Sequence, residues 1–148
     1  MSQNSVEIVH KEIDLIQNCI ARMAQNSFLI KGWAISIVAV VLALTEKNLD
    51  PIYLSLVVVI PLGAFWYLDA FFLQTERKYR KMYEWMIAQR NKNDFSFQYD
   101  LNPKRFESEV DPIWKVMQSL TLSVFYGIPL MVVIVIMEYQ VFKGFMPR

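Results

Sequence analysis

Pro51–Leu73, PIYLSLVVVIPLGAFWYLDAFFL, is apolar over a length that can cross a bilayer, and just beyond it lies ERKYRKMYEW, Glu76–Trp85, a dense basic and aromatic run. A helix rising ~1.5 Å per residue needs about 20 mostly apolar residues to pass the ~30 Å hydrocarbon layer. This stretch supplies them and is read as a membrane span. Such a helix can also form the core of a large soluble protein, but a chain of 148 residues cannot enclose several of them.

The whole chain agrees. Hydrophobic residues make up 55% of it and mean hydropathy is +0.27, while the charged 20% falls in a few segments. An all-α integral membrane protein is therefore expected, with the lipid bilayer as its first partner. A net charge of +1 gives no one-sided basic excess for neutralising phosphates, so nucleic acid is not an expected partner. Cys19, the single cysteine, has no internal partner for a disulfide. The first apolar run begins only at Phe28, so no cleavable signal peptide is expected and the spans themselves direct insertion.

Upstream of the quoted stretch, residues 1–27 read as a cytoplasmic amphipathic helix. Val6, Val9, Ile13, Ile16, Ile20 and Met23 alternate at spacings of three and four, a heptad seam with polar residues between. β-Branched residues dominate the seam, which favours assemblies larger than dimers, with four or more copies expected; the same stripe could instead pack on another helix of its own chain. No Gly or Pro interrupts the pattern before the first span, residues 28–45, whose one charge is Lys31. Glu46–Asp50 then make a short turn. Asp50 followed by Pro51 reads as an N-cap and first helical position opening the second span, residues 51–73. The two spans form a tight antiparallel hairpin.

Residues 74–118 are expected in the cytoplasm. Tyr79, Met82, Tyr83, Met86 and Ile87 continue a helical stripe, and the helical signal ends near Asn91. Phe95, Phe97, Tyr99 and Leu101 then alternate with polar residues, a period of two that predicts an extended segment, lying on a helix surface or paired with the same segment of a second subunit. Asn102 with Pro103 and Asp111 with Pro112 read as two cap-plus-proline helix starts, the second running into a third span, residues 119–142, with an outer tail at 143–148. Lys and Arg set the orientation. Lys11, Arg22, Lys31 and the basic residues between Arg77 and Lys115 fall on one side, against Lys47, Lys143 and Arg148 on the other. The N-terminus is therefore expected inside and the C-terminus outside.

Few residues carry reactive chemistry. His10 is the single histidine, so neither a zinc site of Cys and His nor a nucleophile with its base can be assembled conventionally. Gly32, Gly63, Gly127 and Gly144 form no phosphate-cradling loop. No enzymatic activity, metal or cofactor is expected.

Polar groups at membrane depth are the candidate site. Counting outward from the hairpin turn places Asp69 within about one helical turn in height of Lys31. An ion in hydrocarbon is costly unless paired or able to reach water, so the two have a reason to meet; independent snorkelling to the headgroups is the alternative. Glu138, near the outer end of the third span, could meet Lys47, a neighbouring subunit or the outer headgroups. Pro61 in IPLG and Pro129 in GIPL both fall near mid-span, which predicts two kinks at one level. Trp33, Trp66 and Tyr67 on the inner side, with Tyr53 and Tyr139 on the outer, read as interface belts.

A long amphipathic N-terminal helix, a tight two-span hairpin and the run FWYLDAFFLQTERKYRKMYEW, Phe65–Trp85, resemble the SLATT-type membrane modules of bacterial conflict systems. The resemblance covers about Val6 to Gln89. It implies a small bacterial inner-membrane effector that perturbs the membrane or forms a pore when a cytoplasmic partner triggers it. Residues 102–148, with their third span, lie outside that plan, and no sensor domain is visible. A passive anchor that holds a soluble complex at the membrane is a second expectation. A small-solute channel or transporter is a third, disfavoured by the few intramembrane polar groups.

Overall fold

The computed structural model describes residues 3–44 and 51–145, and among these the chain is helix and turn with no strand. Helix α1 is Gln3–Leu44 and α2 is Pro51–Asn91; a 3-10 helix follows at Pro103–Glu109, then α3, Ile113–Met117, and α4, Leu120–Phe145. The expected hairpin turn at Glu46–Asp50, including Lys47 and the Asp50 cap, lies outside the described residues. The same holds for Met1, Ser2 and residues 146–148.

Helices α1 and α2 are 42 and 41 residues long, so each reaches about 60 Å, twice the hydrocarbon thickness. Each contains a stretch long and apolar enough to cross a membrane, and α4 is apolar over its described residues Leu120–Ile136. The two long helices pack antiparallel. Glu12 meets Arg90, Ser27 meets Asp69, and Val41 shares a cluster with Val58, so partners run down one helix as they run up the other. Helix α4 packs along α2, and α3 braces the same helix.

The core has three levels. Val41, Val58 and Val133 join all three long helices at one end. In the middle, Ala34, Leu62, Ala70, Val116, Leu122 and Tyr126 are buried together. At the polar end, Ile16 packs with Met82, Met86 and Phe106, flanked by Ile13, Ile20, Tyr79, Tyr83 and Ile87. The middle of the heptad seam and the stripe on α2 thus face each other within one chain. Val6 remains exposed at the end of the seam, while Val9 and Met23 are half-buried.

Three expectations are corrected. The segment with period two is not extended: residues 96–99 form a turn, and Tyr99 has a left-handed φ of 57°. Two of the alternating rings lie on arginines. Phe95 lies over Arg90 at 5.1 Å, and Phe97 and Trp85 lie on the Arg105 guanidinium at 4.3 and 5.0 Å. The Asp94 side chain accepts from the Ser96 N–H and hydroxyl, a local bond that favours a turn over a pleat.

Second, Asp111 and Pro112 do not open a helix that runs into the third apolar segment. Pro112 is itself the N-cap of α3, which stops at Met117, and α4 begins separately at Leu120. Asp111 pairs instead with Lys115 at 2.6 Å and Arg77 at 3.3 Å, and these cations hold its carboxyl below the usual range despite some desolvation. Third, Trp66 is not a belt residue. It stacks on Tyr126 at 5.9 Å and donates to the Met117 carbonyl at 3.0 Å, whereas Trp33 and Tyr67 are exposed. The Asn102 start is as read, its side chain accepting from the Lys104 N–H before Pro103.

Candidate functional site

Two polar clusters are buried in the long hairpin. The first sits within the apolar half. Asp69 is wholly buried on α2, and Lys31 reaches it from α1 at 2.6 Å with its own side chain 23% exposed. Lys31 also donates to Ser27 at 2.8 Å, one turn earlier on α1, and the Ser27 hydroxyl donates to the other carboxylate oxygen of Asp69. From α4, the buried Tyr126 hydroxyl donates to Asp69 at 3.0 Å. One carboxylate thus gathers donors from both other long helices, and each of its oxygens is satisfied.

The surrounding packing orients this cluster. Trp66 lies three residues before Asp69, and its stack fixes the Tyr126 ring. Phe125 packs edge-on against Tyr126 and lies 6.0 Å from the Lys31 ammonium. Because both ions and both hydroxyls are mutually bonded, the cluster is net neutral and can persist in hydrocarbon. Removing the single hydroxyl tests the α4 link. Tyr126→Phe is expected to lower stability by about 0.6–1.7 kcal/mol, the range of interhelical hydrogen bonds in membranes, with helix content by circular dichroism unchanged.

The second cluster closes the polar end. Arg90 grips Glu12 with two donors, at 2.8 and 2.7 Å, and both side chains are almost wholly buried. The same guanidinium donates to the carbonyls of Asp94 and Phe97, and the Tyr99 N–H donates to Glu12 at 2.8 Å. This bond holds Tyr99 in its left-handed conformation. Helix α2 ends just before, in a Schellman arrangement: Asn93 has φ 58° and donates to the Arg90 carbonyl at 3.0 Å, while Asp94 donates to Gln89 at 3.1 Å.

Burial alone would push the Glu12 carboxyl up, but the bonds from Arg90 and Tyr99, with the guanidinium charge, outweigh it and hold it below the ordinary 4.5. Arg90 is held above its ordinary value chiefly by its bond to Glu12. A carboxyl depressed in the fold contributes stability that is present above its unfolded value and disappears as pH falls through the folded one. Thermal midpoints in detergent are therefore expected to drop as pH is lowered below about 4.5, and less steeply in Glu12→Gln.

The other sequence-predicted residues are placed as follows. Pro61 and Pro129 are half-buried and both helices continue through them; Pro129 lines a groove together with Leu62, the neighbour of Pro61. Glu138 is exposed on α4, and its suggested partner Lys47 is not described. Among the described residues no group of three or more His, Cys, Asp or Glu is placed to hold a metal. The sequence reading missed Ser27, Tyr126, Glu12 and Arg90. Ser27 carried a signal, since a hydroxyl four residues before Lys31 shares its helix face. Comparison with protein-family models, curated proteins and solved structures finds no match for this chain.

Proposed function

We propose that the protein is a homo-oligomeric, three-span protein of a bacterial inner membrane, acting as a membrane-perturbing effector under the control of a cytoplasmic protein partner. The observation that carries this reading is the continuity of α1 and α2 between an apolar half and a polar half, each half closed by its own buried ion pair. A partner that pulls on the polar half acts on helices that continue into the bilayer. The excess of Lys and Arg on residues 1–31 and 77–115 supports an inside N-terminus. On this reading α4, a 26-residue helix apolar from Leu120 through Met137 in sequence, is the third span.

The Asp69 cluster then acts as a latch, because Tyr126 is the polar link from α4 to the hairpin. The test is uptake of a membrane-impermeant dye by bacteria expressing the chain. Tyr126→Phe, which loosens the latch without adding a charge, is expected to raise uptake above wild type at equal membrane level. If neither chain admits dye, the effector reading falls. The adaptor reading then stands, favoured by a cytoplasmic groove of about 480 Å³ that mixes Arg77, Arg80 and Lys81 with Glu84, Glu109 and Asp111.

A further inference from the structure

A groove of about 280 Å³ runs between α1 and α4, walled by Ala34, Val38 and Ala39 on one side and Phe125 and Pro129 on the other, with Leu62 as its floor. It lies at the level of the apolar halves and opens sideways, where Ile35 and Leu42 are exposed. We propose that it holds one acyl chain of a bilayer phospholipid, an inference that rests on the membrane reading above. Helices α1 and α4 make few contacts of their own. An empty groove would leave its walls without dispersion partners.

A phospholipid rather than a second copy of the chain is favoured by an apolar wall that rises about 12 Å, from Ala34 to Leu42, with a cation just beyond its Ala34 end. The groove also has a polar end. Lys31 lies one turn before Ala34 and Ile35, and its ammonium is 6.0 Å from the Phe125 ring that lines the groove. Two of its three hydrogens serve Ser27 and Asp69, which leaves one for an ester or phosphate oxygen of the same lipid.

Tyr126 lines the groove and its hydroxyl closes the Asp69 latch, so the lipid site and the latch share one residue. The experiment is native mass spectrometry of the full chain extracted in mild detergent and stripped to its last retained lipids. Wild type is expected to keep one phospholipid per subunit, and Ala39→Phe, which fills the groove from its exposed side, to keep none. Ile60→Phe, exposed on α2 away from the groove, is expected to keep the lipid. Retention of no phospholipid by wild type, or equal retention by Ala39→Phe with helix content preserved, overturns the proposal. Loss of subunits instead of lipid in Ala39→Phe also overturns it and places a second copy in the groove. If the chain is removed from membranes by alkaline washing, it is the membrane reading itself that fails.

Discussion

Arg90→Ala is expected to lower the stability of the polar half by about 3–5 kcal/mol, because it leaves the Glu12 carboxylate buried without its cation. The loss is larger than a broken pair on an open surface would give, since exposed pairs are worth about 0–1 kcal/mol. It should also release the turn at residues 96–99, whose Phe97 carbonyl accepts from Arg90 and whose Tyr99 N–H donates to Glu12. Trp85 fluorescence during denaturant titration in detergent reads both effects, because its ring touches Phe97 and Phe106. Glu12→Met with Arg90→Met should recover most of the loss, as apolar replacement of a buried pair is often near neutral. A single Arg90→Ala change costing under about 1 kcal/mol would show that the pair does not hold the two helices together.

The second large effect belongs to Lys31 and Asp69. Asp69→Asn strands a cation and Lys31→Met strands a carboxylate, and breaking a buried pair by removing one partner costs about 3–5 kcal/mol. Lys31→Met is expected to be the worse, because Asp69 is wholly buried and cannot reach water, whereas the Lys31 stem is partly exposed. The double variant should be less damaging than the sum of the singles by at least about 1 kcal/mol. Strict additivity in that cycle would mean that the contact carries no coupling. Ser27→Ala, removing the shared hydroxyl, should cost less than either, about 0.6–1.7 kcal/mol, and leave the pair intact.

How much of this was legible in the sequence differs from feature to feature. The height of Lys31 against Asp69 could be counted from the sequence, because only residues 45–50 separate α1 from α2 and both counts start there. No such origin exists for α4. Its register is set by the break at Gln118 and Ser119 and by the Trp66 stack on Tyr126, both of which depend on packing across the fold. Glu12 and Arg90 were hidden differently. Each stands among other charged residues on a polar helix, and only the superposition of the two helices shows that these two face inward. The alternation of Phe95, Phe97, Tyr99 and Leu101 misled because the four have separate partners at the spacing of one face of a pleat: the first two lie on arginines, the Tyr99 N–H donates to Glu12, and Leu101 packs beside Phe106.

The break between α3 and α4 gives the three apolar helices unequal mechanics. Helices α1 and α2 pass from one half to the other as unbroken helices, α2 with Pro61 inside it, so a twist applied to the polar end is carried along the backbone toward the apolar end. Helix α4 enters through the turn at Gln118 and Ser119, where the Ser119 N–H still donates to the Val116 carbonyl at 3.0 Å, and it is tied to the hairpin by side contacts such as Tyr126 to Asp69. On the membrane reading, a change in lateral pressure or thickness of the surrounding layer is felt first as a tilt of α4. The hairpin serves as the fixed reference against which that tilt is measured.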